Sequence, residues 1–152
     1  MKRWFEKKWV VVLFRTAVGG FFVLSAVMKL RLPAEEVQAL IRSYEVLPAG
    51  LTYPAALVLP WVELVPGVLL TAGILPLYSV AAITGMMVFF MALLVSVIVR
   101  GIPLEDCGCL GGWIRDTPPE ALARDIVLFL MCLPVFFHYW NRMRGSHPGE
   151  AS

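Results

Sequence analysis

Residues 77–99 read LYSVAAITGMMVFFMALLVSVIV, a long apolar stretch without a charged side chain. A helix needs about 20 predominantly apolar residues to cross the hydrocarbon core of a bilayer. This stretch is long enough to do so in a single pass. The sequence therefore predicts a transmembrane helix here.

Three further apolar segments of similar length accompany it. Residues 53–74 precede it after a short uncharged link, residues 9–30 lie near the start of the chain, and residues 121–140 follow a more polar segment. Prolines inside two of these segments are tolerated in membrane helices where neighbouring helices satisfy the freed carbonyls. We therefore predict an all-α integral membrane four-helix bundle, formed as a single domain by residues 1–152.

The composition is consistent with a membrane protein. Hydrophobic residues make up 59% of the chain and charged residues 16%, whereas a soluble domain has about 25% charged residues. The net charge of +2 is too small to indicate a nucleic-acid partner. The first span is longer than the apolar core of a signal peptide and no small-x-small cleavage site follows it, so we expect it to be retained.

A shorter helix is predicted between the first and second spans. Pro33 is followed by two glutamates, and proline with acidic residues in the first turn is typical of a helix start. Apolar side chains then recur at i, i+3, i+4 and i+7, which places them on one face. We expect a short amphipathic helix lying at the membrane interface. The apolar positions are Val37, Leu40, Ile41 and Tyr44.

The distribution of basic residues predicts the orientation in the membrane. With four spans the two chain ends share a side, and their flanks carry Lys2, Arg3, Lys7, Lys8, Arg142 and Arg144. By the positive-inside rule we expect both termini to be cytoplasmic. The location that we expect is the bacterial inner membrane, which the chain crosses several times. The segments 31–52 and 100–120 then face the periplasm, and residues 141–152 form a cytoplasmic tail.

The second external segment carries two of the three cysteines. Cys107 and Cys109 are separated only by Gly108, and Cα atoms two residues apart fall near the disulfide window of roughly 4.4–6.8 Å. Such a small ring is strained, and strained exposed disulfides are the more oxidising ones. We therefore favour redox exchange at this pair. A structural bridge and copper(I) or zinc binding shared with another protein stay open, although the segment offers no histidine as a further metal ligand.

Charged side chains inside the predicted spans need partners. An unpaired charge at mid-membrane costs at least about 2.5 kcal/mol, and for Glu63 we predict an ion pair with Arg15 of the first span. Arg124 begins the fourth span next to Asp125 and is expected at its outer rim. Arg15, Glu63 and Arg124 are therefore interpreted as a structural ion-pair site, with a proton or quinone site as the alternative.

Two other residues within the spans have simpler interpretations. Lys29 lies at the far end of the first span, and we expect it to extend its ammonium group to the interface. Cys132 lies near the middle of the fourth span, where a small buried apolar residue is the favoured interpretation. A relay thiol is the alternative for Cys132.

A set of spaced motifs extends over almost the whole chain. It comprises Arg15-x3-Gly19-x2-Phe22-x2-Ser25-Ala26-x2-Lys29, Tyr44-x2-Leu47-Pro48, Leu59-Pro60-x2-Glu63-x3-Gly67, Cys107-Gly108-Cys109-Leu110-Gly111 and Arg124-Asp125. The first motif resembles the DoxX-like membrane proteins, and the later ones resemble the MauE branch of that superfamily. Leu110 departs from the pattern, because relatives often carry an aromatic residue there.

The resemblance implies a four-helix membrane protein associated with redox chemistry. MauE is tied to methylamine utilisation, in maturation or export of the disulfide-rich small subunit of methylamine dehydrogenase, although many relatives lie outside that pathway. On this basis we expect Cys107 and Cys109 to exchange with a periplasmic thioredoxin-like protein or a disulfide-containing client, with membrane quinone as a candidate electron carrier. The alternatives are a non-enzymatic assembly factor that docks a maturing periplasmic protein and a small thiol or metal transporter with Glu63 in its path.

Overall fold

The computed structural model describes residues 8–102 and 117–144, and these residues form five α-helices. They are α1 (Lys8–Arg31), α2 (Ala34–Ser43), α3 (Ala49–Ala72), α4 (Pro76–Arg100) and α5 (Pro118–Arg144). All except α2 are long and apolar enough to cross a membrane. The prediction of a four-helix membrane bundle with a short helix after the first span is confirmed.

The four long helices pack as antiparallel neighbours. α1 packs mainly on α3 and α5 on α4, while contacts of α1 with α5 and of α3 with α4 close the bundle. A hydrogen bond from Arg15 in α1 to Tyr139 in α5 joins the end of the bundle where the described chain begins and ends. We call this the terminal end. The opposite end, which carries α2, Gly101 and Thr117, is called the loop end.

Each long helix buries one narrow stripe of side chains. On α3 the stripe recurs every three or four residues, as Thr52, Ala56, Pro60, Glu63, Gly67 and Leu70. Large apolar side chains cover the opposite face, where Val58 and Trp61 are more than half exposed. An amphipathic helix of a soluble protein carries polar residues on that face. The apolar exterior is therefore the one expected of a bundle surrounded by lipid.

Helix α3 begins four residues before the predicted start of the second span and ends two residues before its predicted end. Pro48 is extended (φ −61°, ψ 145°) and lies at the N-cap, and the Thr52 hydroxyl donates to the Ala49 carbonyl at 2.8 Å. The segment around Pro48 therefore follows α2 and also forms the start of α3. At the other end Gly73 has φ 80°, a left-handed conformation that ends helices and favours glycine.

A capping pattern marks the start of α5. The N–H and the hydroxyl of Thr117 donate to the Glu120 carboxylate at 3.0 and 2.8 Å. Thr117 is thus the cap residue and Glu120 the third helical position, as in a capping box. These bonds fix the point at which the chain enters α5. The predicted redox pair, Cys107 and Cys109, lies outside the described residues.

Candidate functional site

Helices α1 and α3 cross closely at two glycines. A Cβ atom added at Gly19 would lie 2.9 Å from the Gly67 carbonyl oxygen and would clash with the Thr71 hydroxyl. A Cβ atom at Gly67 would lie 3.1 Å from the Gly19 carbonyl oxygen. Small residues let helix backbones approach in this way in membranes. The crossing therefore fixes the axial register of α1 against α3.

On the loop-end side of this crossing, Lys29 and Glu63 form a buried ion pair. The Lys29 Nζ atom lies 2.6 and 2.8 Å from the two Glu63 carboxylate oxygens. Lys29 also donates to the Ser25 hydroxyl at 3.2 Å, and that hydroxyl donates to Glu63 Oε2 at 3.2 Å. Lys29 is 6% exposed and Glu63 2%. Each charge thereby offsets the cost of burying the other.

The two side chains meet because α1 and α3 run in opposite directions. Helical side chains tilt towards the N-terminus of their own helix. Lys29 therefore leans inward from the loop end of α1, while Glu63 leans outward from the middle of α3. Counted from the glycine crossing, the Cα atom of Lys29 lies about six residues, or ~9 Å, beyond the level of Glu63. Two long side chains that lean towards each other span this gap.

The predicted ion pair between Arg15 and Glu63 is wrong. Arg15 lies one turn from the crossing towards the terminal end and Glu63 one turn towards the loop end, a separation of about 12 Å. Arg15 also tilts away from Glu63, because its helix begins at the terminal end. Its guanidinium donates instead to the Tyr139 hydroxyl at 3.2 Å and to the Thr71 carbonyl at 3.5 Å.

The expectation that Lys29 extends to the membrane interface is also wrong. Its ammonium group turns inward to the Glu63 carboxylate. The spacing of Ser25 and Lys29 is a signal that Lys29 faces a neighbouring helix, since residues four apart lie on one helix face. A serine and a lysine on the face that also carries Gly19 and Phe22 indicate a polar contact within the helix interface.

Asp125 and Arg124 of α5 lie beside this ion pair. Asp125 is 6% exposed and lines, with Lys29 and Glu63, a cavity of about 30 Å³, which is room for a water molecule. The Arg124 Nε atom lies 3.6 Å from Asp125 Oδ1, and its guanidinium lies over the ring of Phe21, another lining residue. Two cations thus face two carboxylates. Ser25, Lys29, Glu63, Arg124 and Asp125 are hereafter the polar cluster.

The three charged residues grouped by the sequence therefore separate into two places. Arg124 and Glu63 belong to the polar cluster, whereas Arg15 lies at the terminal end against Tyr139 and Gly73. Lys29, and not Arg15 as the sequence predicted, is the cation that pairs with Glu63.

Lys29 also lines an apolar groove of about 420 Å³ between α2, α3 and α4. The Lys29 ammonium lies 5.9 Å from the centroid of the Phe90 ring, at the point where this groove reaches the polar cluster. Among the described residues that line it, Lys29 is the one charged side chain. The groove walls include Leu40, Ile41 and Tyr44 of α2, Val58, Leu59 and Val62 of α3, and Phe89, Phe90 and Leu93 of α4.

The third cysteine lies in the bundle core. Cys132 is fully buried in α5, and its sulfur lies 3.9 Å from the Met87 sulfur. These surroundings are those of a small apolar residue. Within residues 8–102 and 117–144, no three His, Cys, Asp or Glu side chains are grouped as metal ligands.

A family model described as methylamine utilisation protein MauE matches residues 7–138. The chain belongs to the MauE family. The match contains α1 to α4 and most of α5, and with them the polar cluster. Membership of this family indicates a membrane protein of methylamine utilisation. No curated protein and no solved structure matches the chain.

Proposed function

We propose that this MauE family member supports the maturation of a disulfide-containing protein outside the cytoplasmic membrane, with Cys107 and Cys109 as the reacting pair. The observation that carries the proposal is the family match across a chain whose Cys-Gly-Cys segment joins α4 to α5. The client is a protein of methylamine utilisation, and the resemblance favours the small subunit of methylamine dehydrogenase. A periplasmic thioredoxin-like protein is the alternative exchange partner.

The reaction is a thiol–disulfide exchange. A client thiolate attacks the Cys107–Cys109 disulfide, forms a mixed disulfide with one cysteine and releases the other as a thiolate. The second client thiol then displaces the attached cysteine. The client gains one disulfide and the cysteine pair becomes a dithiol, so two electrons and two protons pass from the client to the pair.

The described parts of the loop end form a frame for such a segment, in which the residues on either side of it make polar contacts. Arg100, the last residue of α4, pairs with Glu45 at 3.2 Å and donates to the Tyr44 carbonyl at 3.4 Å. Thr117 is held to Glu120 at the start of α5. Reactive residues are often carried by loops whose ends a rigid scaffold holds in place. The frame is consistent with a reactive segment between α4 and α5.

A non-enzymatic assembly factor is the second candidate function. Helix α2 is held to α3 by buried Val37 and by a hydrogen bond from Gln38 to Thr52 at 3.0 Å. Glu35 and Glu36 remain exposed on its outer surface. These two exposed carboxylates are a candidate surface on which a client could dock without redox exchange.

Cysteine substitution combined with thiol trapping in intact cells tests the first proposal. In the wild type we expect a membrane-impermeant maleimide to label Cys107 and Cys109 only after reductant is added. We expect Cys107→Ser and Cys109→Ser to abolish oxidation of the methylamine dehydrogenase small subunit. Cys132→Ala is the matched control and leaves client oxidation unchanged, because Cys132 is buried in the core.

Two outcomes of this experiment contradict the redox proposal. Labelling that requires cell lysis places the pair on the other side of the membrane. If client oxidation is unchanged in the double serine variant, the two thiols are not required for the function. Loss of the mature client in Glu35→Lys/Glu36→Lys, with the double serine variant fully active, then supports the assembly factor.

A further inference from the structure

We propose that the apolar groove holds a membrane quinone, whose isoprenoid tail lies between α2, α3 and α4 and whose ring carbonyl accepts a hydrogen bond from Lys29. This inference rests on the proposed function, because the quinone is the oxidant that returns Cys107 and Cys109 to the disulfide. The quinone site considered from the sequence comprised Arg15, Glu63 and Arg124, and this inference replaces Arg15 with Lys29 as the donor.

The groove has the size and the lining of a site for a long apolar molecule. Its volume of about 420 Å³ falls within the roughly 300–1,000 Å³ of small-molecule sites. Val58 and Leu59 of α3 and Phe89 of α4 supply apolar walls. Val58 and Phe89 are more than half exposed, so the groove opens to the lipid, from which a quinone enters.

The inner end of the groove offers one polar anchor. Val62 is the innermost α3 residue that lines the groove, and Glu63 follows it with its carboxylate on the Lys29 ammonium. A lysine ammonium carries three N–H donors. The donor that reaches Ser25 is the one a ligand can take, since the Ser25 hydroxyl keeps its own bond to Glu63 Oε2. A carbonyl oxygen at this point replaces Ser25 as acceptor without breaking the ion pair.

The charge balance favours a neutral head group over a phospholipid phosphate. Lys29 is 6% exposed and is already neutralised by Glu63, so an arriving phosphate brings an uncompensated negative charge into the bundle. A quinone head is uncharged and accepts hydrogen bonds. Its flat ring also suits the Phe90 side chain, which already faces the ammonium. The charge balance and the position of Phe90 therefore favour a quinone.

The redox step balances with a quinone as acceptor. The dithiol of Cys107 and Cys109 loses two electrons and two protons and forms the S–S bond. The quinone takes up the two electrons and the two protons and becomes a quinol. Negative charge develops on the quinone oxygens as electrons arrive. An N–H of Lys29 directed at that oxygen stabilises the charge in a water-poor site.

Quinone binding by the purified full chain in detergent tests the proposal. The probe is a short-tail ubiquinone carrying a photoreactive group, with Kd measured by titration and the cross-linked residues identified by mass spectrometry. We expect Val58→Trp to weaken binding by more than about tenfold, because the indole fills the groove. Val65→Trp is the matched control, because Val65 is equally exposed on α3 but does not line the groove.

A second variant tests the hydrogen bond separately from the shape of the groove. Lys29→Met/Glu63→Leu removes both charges together, so that neither is left alone in the bundle. We expect about tenfold weaker binding from the lost bond to a charged donor. Wild-type affinity in Val58→Trp, or cross-links away from α2, α3 and α4, overturns the proposal. Co-purified phospholipid that Val58→Trp removes, with quinone binding unaffected, also overturns it.

The same assay separates this inference from the proposed function. Cys107→Ser/Cys109→Ser is expected to bind the quinone as the wild type does. If it binds quinone while the cysteines prove dispensable for client oxidation, the proposed function fails and the site stands. If the cysteines are required but no quinone binds, the proposed function stands and the inference fails.

Discussion

Helix α3 has one closed side and one open side. Towards α1 it presents Gly67 and Glu63, and the backbones there nearly touch while an ion pair bridges the two helices. Towards α2 and α4 it presents Val58 and Val62, and a groove of about 420 Å³ remains between the helices. Both sides belong to a single helix in the same membrane.

The difference shows what closes a helix interface in lipid. Lipid tails are as apolar as leucine, so apolar side chains alone give little reason for two membrane helices to approach. The α1–α3 interface is closed by the small residues Gly19 and Gly67 and by polar contacts between Lys29, Ser25 and Glu63. The groove is lined mainly by larger apolar side chains such as Val58 and Val62, and an apolar chain from the membrane can occupy it.

The largest expected effect comes from breaking the ion pair of the closed side. Lys29→Met and Glu63→Leu each leave one buried charge without its partner, and each is expected to cost about 3–5 kcal/mol. The double variant is expected to cost less than either single change, because no charge is left alone. Unfolding in mixed micelles, followed by circular dichroism, gives the three free energies of unfolding.

Glu45→Gln is the control for that cycle. Glu45 pairs with Arg100 at the exposed loop end, with side chains 65% and 42% exposed, and such surface pairs contribute only about 0–1 kcal/mol. A double variant as unstable as the sum of the two single variants contradicts a direct Lys29–Glu63 interaction.

An intermediate effect is expected at the glycine crossing. Gly19→Ala forces a methyl group against the Gly67 carbonyl oxygen, and overpacking of this kind costs about 1–3 kcal/mol. Gly20→Ala is the matched control, since nothing lies within 4 Å of its added Cβ atom. The free energies of unfolding of Gly19→Ala and Gly20→Ala are measured in the same micelle experiment. Equal stability of the two variants contradicts the close crossing at Gly19.

The sequence predicted the spans because run length and composition are properties of the chain alone. Residues 77–99 lack any charge, and α4 occupies Pro76–Arg100. The short helix α2 followed from apolar periodicity and from the helix-start signal at Pro33. Each of these signals lies within a single helix, so no knowledge of the neighbouring helices was required.

The partner of Glu63 could not be obtained in the same way. The sequence shows that a buried carboxylate needs a cation, but both Arg15 and Lys29 lie on α1. The choice depends on the axial register of α1 against α3 and on the direction in which side chains lean. The register is set by contact at Gly19. Gly20 next to it is also a glycine, but nothing lies within 4 Å of a Cβ atom added there, so the sequence alone does not show which glycine makes the contact.

The smallest expected effect comes from the open side of α3. Val58 is 56% exposed, and Val58→Ala is expected to change the free energy of unfolding by no more than about 0.5 kcal/mol. Val18→Ala is the matched comparison, because Val18 is 1% exposed in the core. Its truncation leaves a cavity and is expected to cost at least about 1 kcal/mol.

This pair of valines reports on the groove without any ligand. If Val58→Ala is as destabilising as Val18→Ala, the groove walls contact each other in the free protein, and a quinone must separate the helices before it can enter. If only Val18→Ala is destabilising, the groove is open before binding. Its occupant then gains apolar contacts without first breaking contacts between helices, which is the condition under which a membrane molecule binds there.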